Sequence, residues 1–222
     1  MKNVKILALA LCLVMSCFAM AGCSGQNEFF EEKSFTPSTQ VTGVNVDVRD
    51  RKIEVTPSKD KQVHVQYFES SKEYYNISVS DAHVMTMTSA SNKEWTDYIG
   101  GKPSAESRTI ILLLPTSLLN TVALSTTNED ISLPALSVQR SINVSVNNGD
   151  IAFKALDVGS AVTLNAKNGD ISGEIAGSYN DFAIQSTIKN GDSNLPASKD
   201  GGRKSLHVSC NNGDVSIGFA EK

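Results

Sequence analysis

Val146-Asn147-Asn148-Gly149-Asp150-Ile151 returns 20 residues later as Ala166-Lys167-Asn168-Gly169-Asp170-Ile171, and its central phrase occurs five times in all. The copies are Asn128-Glu129-Asp130, Asn148-Gly149-Asp150, Asn168-Gly169-Asp170, Asn190-Gly191-Asp192 and Asn212-Gly213-Asp214, with successive aspartates 20, 20, 22 and 22 residues apart. A fixed period of this size, one supersecondary unit per repeat, is the sequence mark of a solenoid or array.

Aligned on their aspartates, the copies sort into columns. Positions eight, six and four before each Asp are mostly apolar: Val122, Leu124 and Thr126 in the first copy, Ile142, Val144 and Val146 in the second. The positions between them are small or polar, such as Asn143, Ser145, Thr163 and Asn165. Alternation of this kind is the period of a half-buried strand rather than a helix. After the Asp the alternation resumes out of phase, at Ile131, Ile151, Ile171 and Val215. Because a one-residue slip flips a strand's face, the Asn-Gly-Asp phrase must be a turn or bulge that resets the phase. Gly tolerates positive φ, and Asn and Asp bond their own backbone, so the residue types suit that task.

A two-residue hairpin would pair strands within a repeat and give the columns no reason to match between repeats. Matching columns arise when each coil of 20–22 residues stacks in register on the last, with the Asn column forming a ladder. The expected fold class is therefore all-β: a parallel β-solenoid, β-helix-like, preceded by a β-rich and partly antiparallel N-terminal half. Right-handed winding is the default.

The remainder of the chain divides around this array. Residues 1–22 read as a signal peptide, with Lys2 and Lys5 before the apolar run Ile6 to Met20. Met20-Ala21-Gly22-Cys23 resembles a bacterial lipobox, which implies a diacylglyceryl group on Cys23 and a location on the extracytoplasmic side of a bacterial cell membrane. Residues 23–40 form the anchored cysteine and its tether. Residues 41–219 form one domain, with leading strands over 41–115 and repeat coils over 116–219. The leading strands are expected to be antiparallel and to cover the first coil, whose bare edge would otherwise invite aggregation. Thr109-Ile110-Ile111-Leu112-Leu113-Leu114 reads as a strand buried on both faces.

Removing residues 1–22 takes two of the 20 basic residues, leaving 18 against 24 acidic and a net charge of −6. That balance argues against nucleic acid as a partner. Of four cysteines, only Cys210 remains free of the signal and the lipid, and its inward column marks it as a buried thiol.

Near Leu113-Leu114-Pro115 and the Asn-Gly-Asp phrases the chain resembles the bacterial family of putative adhesins, domains of unknown function with tandem β-solenoid repeats. The resemblance runs from about Val41 to Phe219 and implies an envelope role without established catalysis. Glu129 and Ser193 depart from the family's turn pattern, suggesting weaker coils there.

The expected function is that of a non-enzymatic cell-envelope lipoprotein with an adhesin-like or structural binding role. Its partners are the membrane, through the lipid on Cys23, and a glycan or surface protein. Two alternatives stand beside it. The Asp column (Asp130, Asp150, Asp170, Asp192, Asp214) with its asparagines (Asn128, Asn148, Asn168, Asn190, Asn212) could bind calcium, which prefers oxygen ligands; the competing reading is turn capping, with no cofactor. A polysaccharide-cleaving β-helix enzyme shares the architecture, but shared fold does not carry function. No nucleophile–base pairing or metal-like spacing of His64, His83 and His207 supports catalysis. Finally, the segment between Ser89 and Ser107 holds Trp95 and Tyr98, either as a binding loop or as a hairpin extension whose Trp packs on the sheet.

Overall fold

A computed structural model describes residues 28–98, 102–116 and 119–221. The signal segment and Cys23 lie outside the described residues, as does the side chain of Tyr98.

Each repeat but the fourth lays one strand in each of two sheets. The first sheet, called B, holds β2 (Gly43–Asp47), β5 (Glu73–Val79), β6 (Val84–Ser91), β8 (Thr121–Thr126), β11 (Ser141–Asn148), β13 (Ala161–Asn168), β15 (Phe182–Asn190), β16 (Ser198–Lys199) and β17 (Lys204–Asn212). The second, called A, holds β1 (Glu31–Phe35), β3 (Lys52–Pro57), β4 (His64–Glu69), β7 (Thr109–Leu114), β9 (Ile131–Leu133), β10 (Leu136–Val138), β12 (Ile151–Val158), β14 (Ile171–Ala176) and β18 (Val215–Ala220). The chain is all-β, with mixed parallel and antiparallel pairing.

The inward columns are buried as their alternation requires: Val122, Leu124, Ile142, Val144, Val162 and Leu164 from sheet B meet Ile131, Ile151 and Ile171 from sheet A. The phase reset is present too, since Val146 is buried four residues before Asp150 and Ile151 one after it. Burying aliphatic columns of this kind, at about 25 cal/mol per Å² of apolar surface, is the main favourable term holding the sheets together. Cys210 is fully buried among them, and burial pushes its thiol above the ordinary value.

Neighbouring repeats pair in parallel and in register, Ile142 opposite Val162 and Asn148 opposite Asn168. The order of stacking, however, is not the order of the chain. Sheet B runs β16-β15-β17-β13-β11-β8-β2-β6-β5, so the fifth repeat is inserted between the third and fourth. This corrects the expectation that each coil lies on the last. Its cause is visible where the period lengthens from 20 to 22 residues. There Ser178 caps a short 3-10 turn, Tyr179–Asp181, in a capping box with Asp181. That turn carries β15 one strand position beyond β13, and β17 returns to fill the gap with β13 on one side and β15 on the other.

A second correction concerns the N-terminal half. β2 pairs in parallel with β8, and β3 with both β7 and β9, so residues 43–57 form a further coil of the same stack. Only β1, β4 and β5 are antiparallel, at the near end. β7 is also buried on one face rather than two: Ile110, Leu112 and Leu114 point inward while Ile111 and Leu113 are half-buried outside.

At the far end both edges are capped. β16 pairs antiparallel with β15 and covers the edge of sheet B. In sheet A the fourth repeat contributes only a bridge, Ser193 to Val215, in keeping with the weak coil expected at Ser193. The Asn194 side chain there stands in for a strand, donating to the Ile217 carbonyl (2.9 Å) and accepting from the Ile217 amide (3.0 Å). These bonds occupy the edge groups of Val215 and Ile217 and blunt the edge as a template for another chain.

Candidate functional site

The turn column forms one lateral edge of the stack, and both ladders on it are hydrogen-bonded throughout. Asn190 donates to Asn212 (2.8 Å), Asn212 to Asn168, Asn168 to Asn148 and Asn148 to Asn128 (2.6 Å each). Asn128 in turn donates to the Asp50 carboxylate. All amide dipoles therefore point one way and end on a negative charge, the arrangement in which successive bonds strengthen one another.

The aspartates do different work. The backbone N–H of Asp150 donates to the Asp130 carboxylate (2.9 Å), and those of Asp170, Asp214 and Asp192 donate to Asp150, Asp170 and Asp214 in turn (2.8 Å each). One oxygen of each accepting carboxylate is thus taken up by a peptide of the adjoining repeat. This bonding offsets the repulsion of stacked like charges, roughly 1 kcal/mol per neighbouring pair in water. Lys167 and Lys189, exposed beside the column, form no ion pair with it among the described residues. No group of three or more His, Cys, Asp or Glu side chains converges as a metal site among the described residues. A thermal melt with millimolar calcium, after chelator treatment, is expected to leave the midpoint unchanged. A calcium-dependent rise would instead make the Asp column an ion site.

Glu129 stands where the other repeats carry Gly. Its carboxylate pairs with Arg108, next to the short 3-10 turn Glu106–Arg108. The three histidines lie apart: His64 bonds Asp60 and Thr36, His83 sits in a turn at φ 58°, and His207 is exposed on sheet B.

The outer face of sheet B is the broadest regular surface. In stacking order one outward column reads Thr86, Asn45, Ala123, Asn143, Thr163, His207 and Gln185; the next reads Thr88, Asp47, Ser125, Ser145, Asn165, Ser209 and Thr187. Neither contains lysine or arginine. A shallow depression of about 300 Å³ opens on it between Asn45, Asp47, Ser125, Asn143 and Ser145, where Ala123 leaves room. Sheet A by contrast presents Lys154 and Glu174 outward. The sequence phase marked Asn143 and Ser145 as outward, and Val44-Asn45-Val46-Asp47-Val48 alternates as well, but it did not align Asn45 and Asp47 with the repeat columns. Their signal was Val44, Val46, Val48, Ile53 and Val55, which match the repeat template with Lys52 in the Asp position.

Trp95 heads a 3-10 turn between β6 and β7 and is 76% exposed, so it does not pack on the sheet. The turn is held by Lys72, whose ammonium pairs with Asp97 and keeps that carboxyl below its ordinary range. Behind it, Arg51 and Lys93 both bind Glu73.

A family model described as Toastrack DUF4097 matches residues 41–222. The fold is similar to that of a "putative cell adhesion protein" from Clostridium sporogenes, with a TM-score of 0.64 at 11% identity, covering 87% of this chain and 100% of that one. A "putative adhesin" from Bacteroides fragilis matches at 11% identity and a TM-score of 0.36, covering 86% of this chain and 97% of the other. Among curated proteins none matches the chain at a significant level.

Proposed function

The chain belongs to the Toastrack DUF4097 family, and from that premise we propose that it is a non-enzymatic, adhesin-like binding module of the bacterial envelope. In this reading a lipid on Cys23 anchors it on the extracytoplasmic side, and the stack acts as a solenoid-like rod that presents sheet B to an uncharged glycan. The observation that carries the reading is the pair of in-register columns made mostly of amide and hydroxyl side chains, interrupted by Asp47, Ala123 and His207 but by no lysine or arginine, running past Asn143 and Ser145. Such side chains both donate and accept, as sugar hydroxyls do. Repeating them at strand spacing, about 4.8 Å, gives a polymer the same chemistry at every step. Contacts that are weak singly then add through effective concentration. The similarly folded Clostridium sporogenes protein is described as a "putative cell adhesion protein", which supports a surface role.

The test is retention of neutral cell-wall and host polysaccharides on beads carrying the purified lipoprotein. Wild type is expected to retain at least one, and Asn143→Arg with Ser145→Arg to weaken retention at least tenfold at an unchanged melting midpoint, since both positions point outward. Equal retention by the double variant, or none by wild type, would sink the reading.

A further inference from the structure

We infer that the corner of the domain bearing Phe29 and Trp95 is a membrane-contact patch that fixes how the domain stands on the bilayer. The inference rests on the lipid-anchor reading of Cys23 given above.

Phe29 and Trp95 are each 76% exposed, well above the next large apolar side chain among the described residues, Tyr179 at 40%. They belong to distant parts of the sequence but to one corner of the fold. Glu28, beside Phe29, bonds the Ser70 hydroxyl and lies 3.4 Å from the Lys93 ammonium, two residues before Trp95. The Asn92 amide donates to the Lys72 carbonyl (2.9 Å), and Lys72 pairs with Asp97, so the Trp95 turn is clamped to the loop between β4 and β5. β1 begins opposite Glu69, the last residue of β4, where that loop starts.

This corner is also where the chain enters the domain. Cys23 precedes Glu28 by five residues, a reach of at most about 18 Å even fully extended. A bilayer holding the lipid therefore lies within that distance of Glu28, the neighbour of the exposed Phe29. Aromatic side chains with an apolar body favour the bilayer interface, and indole in particular can keep its N–H hydrated there. The overall charge of −6 after removal of residues 1–22 would oppose approach to an anionic surface. At this corner, however, three cations pair with three carboxylates, Lys93 with Glu28 and Glu73, Arg51 with Glu73, and Lys72 with Asp97, which leaves Glu94 as the exposed carboxylate beside Trp95. The two acyl chains of a diacylglyceryl group hold the protein on the bilayer but leave its tilt free, so an aromatic contact beside the anchor contributes orientation. With the β5 end at the membrane, the eight strand spacings of sheet B lift β16 roughly 38 Å above it. The polar face then stands upright and is open to ligands from the side.

Trp95 is the only tryptophan, so its emission reports on this corner alone. The full lipoprotein would be reconstituted into phosphatidylcholine–phosphatidylglycerol vesicles, with and without brominated acyl chains. Mass spectrometry would record the modification of Cys23, and flotation the binding. The expected result is emission shifted to shorter wavelength, strong quenching by the bromines, and a severalfold fall in acrylamide quenching relative to unlipidated Cys23→Ser. Phe29→Asp, which lies outside the core, is expected to keep flotation and lose most of the bromine quenching. Flotation of the lipidated chain with Trp95 still quenched by acrylamide and untouched by bromine would overturn this inference alone and point to a soluble partner. An unmodified Cys23 together with no flotation would overturn the anchor reading and this inference with it.

Discussion

Gly169→Ala is expected to lower stability by about 3 kcal/mol or more, a large share of what a domain of this size has. Gly169 sits at φ 138°, and a Cβ there would lie 2.1 Å from the Gly149 carbonyl oxygen and 2.9 Å from the Asp150 carboxylate. Neither neighbour can yield cheaply. Backbone bonds tie the column together, Gly149 N–H to the Asn168 carbonyl and Gly169 N–H to the Asn212 carbonyl, each 2.9 Å. The Asp150 oxygen is itself bonded to the Asp170 amide. Gly201→Ala isolates the backbone term, because Gly201 has φ 88° and nothing within 4 Å of an added Cβ; it is expected to cost about 1 kcal/mol. Urea unfolding midpoints compare the two, and equal midpoints would show that close stacking at the turn column is not what demands glycine.

Arg51→Met should cost nearly as much, about 3 kcal/mol, because it breaks a buried ion pair by removing one partner. The Arg51 side chain is only 5% exposed. Its Nη2 binds Glu73, its Nε donates to the Tyr75 hydroxyl (2.6 Å) and its Nη1 to the Asp50 carbonyl (3.0 Å). Burial pushes the Tyr75 hydroxyl above its ordinary value, so it stays protonated and accepts the Arg51 bond as a phenol. Met fills similar volume but leaves Glu73 with Lys93 alone and Tyr75 without its donor. Since Asp50 also receives the end of the Asn ladder, the loss should spread to the near end of the turn column. Arg51→Lys keeps the charge but cannot make three divergent bonds, and belongs between the two. An Arg51→Met midpoint within about 0.5 kcal/mol of wild type would mean the network is an ornament of the surface.

Legibility in the sequence followed the range of the interactions. The ladders, the outward columns and the burial of Cys210 were readable because strand alternation and turn chemistry depend on neighbours a few residues apart. Repetition then made each position visible several times. The coil over residues 43–57 kept its inward valines and Ile53, but lost the Asn-Gly-Asp phrase to Arg49-Asp50-Arg51-Lys52, and so escaped a reading aligned on that phrase. The setting of Glu129 was hidden for a related reason. The ion pair that accommodates it comes from Arg108, which local pattern does not link to it.

The sequence by itself determined the all-β class, the phase reset at the turn, which side chains face inward, and the register that brings Asn over Asn and Asp over Asp. Those follow from period-2 alternation and from a repeat length that returns each column to its place. The tertiary structure alone decided the order of the repeats, because a coil that lies between the third and the fourth buries the same aliphatic columns as one stacked outside them. It also decided that Phe29 and Trp95 share a corner, since ion pairs and hydrogen bonds through Glu28, Ser70, Lys72 and Lys93 bring together segments far apart in the chain.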